Sequence, residues 1–174
     1  SVLPNRPYRE VQRYVLAPER PRREPPPARG GPVLLLRTLR AAPGLDARGL
    51  RLVGANGQVD TEFWDEWTAP PAELAEEAMR RWLAASGLFA AVVPPGSRLR
   101  PDLVLEAELV RLQAEPAAGQ ARAALSALLL REGTEGGGSG ARILGQFTPE
   151  ATAPLPGGPR RGGGGGSLPP AEAA

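Results

Sequence analysis

Carboxylates are the only side chains in this sequence suited to acid–base chemistry near neutral pH. Glu62, Asp65 and Glu66 lie close together and alternate with Trp64 and Trp67. Paired acids beside aromatics can cleave glycosides when two carboxyl groups converge on one cleft. A simpler reading fits the same residues: a solvated face leading towards a helix N-terminus, where anions are favoured in any case. Trp64 and Trp67 likewise read first as core or cleft-lining aromatics. Glu106 and Glu108 share one face of a strand, as solvated outer-face residues would.

The rest of the catalytic repertoire is missing. The chain contains no His and no Cys, which removes the commonest general base and the usual zinc and iron ligands. A Ser nucleophile would need a basic partner, and all 21 basic residues are Arg. The glycines at 136–138 and 140 lack the Lys and the helix of a phosphate loop and read as a flexible link. No catalytic residue, cofactor or metal is therefore expected, and the sequence points to binding or tethering. The arginines are interleaved with 19 acidic residues for a net charge of +2. Nucleic-acid binding would need a coherent basic face, usually with aromatics along it, and none is present. No stretch approaches the about 20 apolar residues that span a bilayer.

The elements that must position these residues can be read along the chain. Pro (21) and Gly (22) cluster at 18–32, at 133–140 and after 149, leaving roughly 110 residues for a single modest core. Residues 1–32 form an extended arm with a short first strand at 14–17, residues 33–148 an α/β domain, and 149–174 a Gly/Pro-rich tail expected to be disordered. Val33–Arg40 reads as a strand. Strands over 50–53 and 58–64 flank Gly54-Ala55-Asn56-Gly57, a hairpin turn. A helix is expected from Ala69 to Ser86, with Thr68 as N-cap and Gly87 as the stop. Leu74, Ala78, Trp82 and Leu83 would form its apolar stripe. Strands follow at 88–93, 103–113 and 141–148. Residues 121–131 are read as a strand with helix as the alternative, because their Ala and Leu content prefers helix.

From Trp67 the pattern resembles a known family. Trp67-Thr68-Ala69-Pro70-Pro71-Ala72-Glu73-Leu74, running into Arg81-Trp82-Leu83-Ala84-Ala85-Ser86-Gly87-Leu88-Phe89, resembles the ABC-type transport auxiliary lipoproteins. In that family a Trp precedes a Pro-containing helix start, and the helix leads into a strand. Tyr14-Val15-Leu16 is similar to its opening strand, and 50–63 to its hairpin. The run 102–109 is similar to its long strand, and 128–131 with 142–147 to its closing pair. The sequence departs from the family at Trp64-Asp65-Glu66, where members often carry an aromatic, a His and an Arg. It departs again at 157–174, where many carry a C-terminal helix.

The resemblance implies a three-layer α/β sandwich with a mixed, largely antiparallel sheet and one main helix. It implies a periplasmic, membrane-anchored bacterial lipoprotein without catalytic residues, held by a lipidated Cys expected just upstream of Ser1. The implied partners are an ABC transporter permease or a substrate-binding subunit of the mammalian-cell-entry type, associated with lipid movement between membranes. A periplasmic protein binding a small lipid is the alternative. The polar residues before Tyr14 could extend about 40 Å and hold the domain clear of a membrane. Tyr14, Phe63, Trp64 and Trp67 are the candidate partner or ligand surface.

Overall fold

The computed structural model describes residues 9–14, 16, 30–133 and 140–156. The strands are β1 (Gln12–Tyr14), β2 (Val33–Leu36), β3 (Arg40–Ala41), β4 (Gly49–Val53), β5 (Val59–Trp67), β6 (Ala91–Val93), β7 (Leu103–Glu115), β8 (Gln120–Gly133), β9 (Gly140–Phe147) and β10 (Glu150–Pro154). The one α-helix among the described residues, α1 (Pro71–Ala85), lies between β5 and β6.

All ten strands join one mixed sheet. Its centre is the antiparallel pair β7–β8, in register from Leu103 opposite Arg131 to Glu115 opposite Gln120. The free edge of β7 is filled in sequence by β2, β3 and β4, all parallel to it. Beyond β2 lies β6; beyond β4 lies β5, and then β1. The far side of β8 carries β9 and β10, both antiparallel. The longest ladders are antiparallel, as the sequence led one to expect.

Alternation along β7 decides the core. Leu103, Leu105, Ala107 and Leu109 are buried on one face, joined by Leu34, Leu36 and Ala127 from the neighbouring strands. Helix α1 covers this face. Val104 and Val93 are also buried; register sets both beside Leu35 on the opposite face.

The helix begins later than expected. Pro70 is the N-cap, in extended geometry with φ −51° and ψ 135°. A residue before proline is pushed out of the helical region, so Pro71 prevents the helix from starting any earlier. Thr68 is therefore not the cap. The helix stops as expected: the Ser86 hydroxyl donates to Leu83 O at 2.6 Å, and Gly87 follows with φ +73°. The expected stripe holds at Ala78, which is buried, and at Leu83, but shifts at its other positions. Ala72 and Ala75, with Met79 and Leu83, face the sheet, while Leu74 and Trp82 are half-buried at its flanks. Alanines let the helix axis approach the sheet where a Leu row would hold it away.

Three further elements differ from the sequence reading, and a fourth resolves an alternative that it left open. Strand β1 lies at Gln12–Tyr14, upstream of the expected run, and residues 15 and 17 lie outside the described ones. The expected strand Val33–Arg40 is broken. Between Leu36 (opposite Leu105) and Arg40 (opposite Glu108) the edge strand carries one residue more than β7. This bulge turns Leu39 into the core, 5% exposed. The Leu39 N–H, released from the ladder, donates to Glu76 Oε1 of α1 at 2.9 Å. Residues 120–133 are strand despite their helical composition, because pairing on both edges outweighs intrinsic propensity. The sequence assigned 150–154 to a tail, whereas these residues form β10; 157–174 lie outside the described residues.

Glu76 thus ties the helix to the bulge, and it also pairs with Arg80 at 3.6 Å. Glu76→Ala should destabilise the fold by about 2 kcal/mol, since it orphans a part-buried N–H. Glu76→Gln keeps an acceptor and should cost about half as much, as read by urea unfolding. On the other sheet face, Glu115 accepts from Gln120 and Gln113 at 2.9 and 2.8 Å. Those bonds, with the nearby Arg122 and Arg111, hold its carboxyl below the ordinary value of 4.5. Its contribution to stability is present above 4.5 and is lost as pH falls through the lowered value. Gln120→Ala should move the Glu115 titration upward in a carboxyl NMR experiment.

Candidate docking site

Strand β5 carries every acid and aromatic the sequence singled out between 62 and 67. It forms because the Gly54–Gly57 turn closes as expected, with Gly57 N donating to Gly54 O at 2.9 Å and Gln58 N to Asn56 Oδ1 at 3.0 Å. β4 and β5 then pair irregularly: Arg51 faces Thr61, but Gly49 faces Glu66. The excess β5 residues crowd Gly49. A Cβ at Gly49 would collide with the Thr61 side chain and lie 3.1 Å from Glu62 O, so only glycine fits.

Because β5 is a strand, successive side chains point to opposite faces. Asp65 and Glu66 therefore cannot converge on one substrate atom, and each already has a partner. Asp65 accepts from the Tyr14 hydroxyl at 3.1 Å. Glu66 accepts from Arg13 Nε at 2.9 Å, with Arg48 at 3.7 Å. These acids fasten β1 to β5. The parallel register sets Gln12, Arg13 and Tyr14 beside Asp65, Glu66 and Trp67, and Thr68 N donates to Tyr14 O at 2.8 Å. No group of acids with metal-binding geometry occurs among the described residues.

The structure brings the four candidate surface residues to one edge. Tyr14 is opposite Trp67 and is 45% exposed. Phe63 is 76% exposed and meets Trp64 edge-to-face, with ring centroids 4.8 Å apart. Arg9 sits 6.0 Å from the Trp64 ring, at the outer range of a cation–π contact. Trp64 and Trp67 are half-buried and stand outside the buried cluster. β1 covers only Asp65–Trp67, so among the described residues Val59–Trp64 has no strand on that side. The result is a small aromatic shelf on a partly open sheet edge.

Sequence reasoning missed a second feature. On the sheet face away from α1, a shallow depression of about 820 Å³ lies over β7–β8, with Arg37, Arg40, Glu106, Glu108, Leu128 and Ile143 among its lining. Arg37 and Glu106 pair across it at 3.4 Å. Only the alternation of Glu106 and Glu108 hinted at this polar face.

The family model for the ABC-type transport auxiliary lipoprotein component matches residues 14–157, and the chain belongs to that family. That family is a transport-auxiliary one, which places the protein with ABC transport in the cell envelope. The fold is similar to that of protein XCC0632 from Xanthomonas campestris, a DUF330 protein, at 21% identity. That match has a TM-score of 0.64 and covers 83% of this chain and 77% of the other. A second solved structure, of an uncharacterized protein, has 14% identity and a TM-score of 0.53, covering 82% and 80%. No curated protein sequence matches the chain.

The Tyr14–Asp65 contact has a measurable signature. The hydrogen bond to Asp65, its negative charge and slight desolvation together raise the Tyr14 hydroxyl above the ordinary 10.0. The contact is whole below 10.0 and is lost as pH rises through the raised value. An alkaline titration followed by tyrosinate absorbance should show a late component. Tyr14→Phe should remove it, and Asp65→Asn should return it towards 10.0.

Proposed function

We propose that this protein is a non-enzymatic accessory lipoprotein of a lipid-moving ABC transporter, anchored at the periplasmic side of the bacterial envelope. It acts by docking to the permease or to a substrate-binding subunit of the mammalian-cell-entry type. The observation that carries the docking role is Phe63, three-quarters exposed and braced by Trp64 on an uncovered stretch of β5. A large aromatic held rigidly in water is a feature of interaction sites, where aromatics dominate the binding energy. Tyr14 and Trp67 extend the same shelf, and the three-layer sandwich of the family would leave this edge accessible.

A second reading, a periplasmic lipid binder, draws support from the depression over β7–β8. Its charged rim suits a polar head group better than acyl chains. Native mass spectrometry of protein isolated from cells separates the two readings: a co-purifying lipid favours the binder, and its absence favours docking.

The docking role is tested with the transporter's own permease and substrate-binding subunit, co-expressed with the full-length protein. Phe63→Ser should weaken their co-purification about tenfold or more, as loss of an interface anchor does. Its melting temperature should barely change, since Phe63 lies outside the core. Full co-purification by a folded Phe63→Ser, Trp64→Ala variant would remove the shelf from the interface. The N-terminal mass of the protein expressed with its own leader tests the anchor, and an acylated Cys ahead of Ser1 is expected.

A further inference from the structure

The sheet has a second open edge, opposite the aromatic shelf. β9 pairs with β8 on one side and with no strand on the other among the described residues. Free edges invite strand addition, and proteins blunt them with short strands, prolines or charges. The other edges here follow that rule. β1 and β6 are three residues each. β10 continues the line of β9 along β8, with Phe147 opposite Ala127 and Glu150 opposite Ala124, but Pro149 interrupts it and Pro154 ends it. β9 is less protected, with a bulge at Leu144 as its one irregularity. It is eight residues long, lacks proline and carries one charge, Arg142. Ile143, Leu144 and Phe147 are 63%, 38% and 51% exposed along it.

Charge narrows the choice of occupant. Arg142 lies directly opposite Arg131 in the β8–β9 ladder, and like charges so placed repel. Neither forms an ion pair among the described residues. Arg98 and Arg100 lie in the loop leading to β7, whose first residue, Leu103, is opposite Arg131. The acids near this end are Glu132 and Asp102, and Asp102 accepts from Val33 N at 2.8 Å. A second copy would bring another Arg131–Arg142 pair to the same seam. We propose that the β9 edge accepts an extended segment of a partner protein, apolar at alternate positions, with a carboxylate placed to meet Arg142 and Arg131. The bulge at Leu144, where β9 shifts register between Leu129 and Leu130 of β8, restricts the added strand to one alignment.

The test uses the full chain and the peptide Thr-Val-Glu-Val-Thr-Val-Thr, with versions carrying Lys for Glu or Pro for the central Val. The Glu peptide should slow amide exchange across residues 140–147 and bind about fivefold to tenfold tighter than the Lys peptide. The Pro peptide should not protect the edge. Arg142→Glu should reverse the Glu-over-Lys preference, and this exposed change leaves the fold intact even if the edge-blocking Leu144→Pro does not. Three results would each overturn the proposal. One is unchanged exchange at β9 with every peptide. Another is protection that appears without peptide and tracks dimer formation in sedimentation, which gives the edge to a second copy. The last is protection by phosphatidylglycerol vesicles alone, which gives it to a membrane surface.

Discussion

Everything in this fold depends on β7 being paired along both edges at once. On one side β8 pairs with it from Leu103 to Glu115, with a single bulge at Val110. On the other, three separate strands share its length: β2, then β3, then β4. A central strand of this kind must satisfy its backbone groups continuously, because an unpaired amide beside the core is costly. Where the edge strand slips at Arg37–Leu39, the released Leu39 amide is caught by Glu76 from the helix. The helix is thereby located by a polar contact as well as by its alanine face. The hairpin β4–β5, the arm strand β1 and the aromatic shelf are all positioned by where β4 meets the end of β7.

The acids of β5 show how a catalytic reading of a sequence can dissolve into a structural one. Glu62, Asp65 and Glu66 read first as a solvated face, and a catalytic role would have required two of them to converge on a cleft. Strand geometry separates Asp65 from Glu66 by face, and Tyr14, Arg13 and Arg48 occupy the two carboxylates. The same contacts explain why a segment so far upstream belongs to the domain. Their role is attachment, and the aromatics beside them remain free to face outward.

Much of this was legible from residue order. The hairpin turn, the Gly87 stop and the alternation of β7 followed from local rules, and the flanking turns favoured strand over helix at 121–131. Tyr14, Phe63, Trp64 and Trp67 lie at one edge of the sheet. What escaped was set by distant partners. The helix stripe kept Ala78 and Leu83 but exchanged Leu74 and Trp82 for Ala72 and Ala75, whose small side chains let the helix lie close to the sheet. The Leu39 bulge depends on a carboxylate 37 residues away. β10 was hidden in a Gly/Pro-rich run because Pro149 reads as an ending, yet the chain resumes pairing with β8 straight after it. The depression beside Glu106 and Glu108 needed side chains from both β8 and β9.

The way β1 joins the sheet has a mechanical side. It is the only strand upstream of Val33 among the described residues, and it engages β5 over three residue pairs. Any pull on the chain from its N-terminal side therefore loads that short ladder, with the Arg13–Glu66 and Tyr14–Asp65 contacts, and then the packing of Leu16 on the core, before force can reach β2. Force entering from that side would thus meet three backbone pairs and two exposed side-chain contacts before any longer ladder of the sheet.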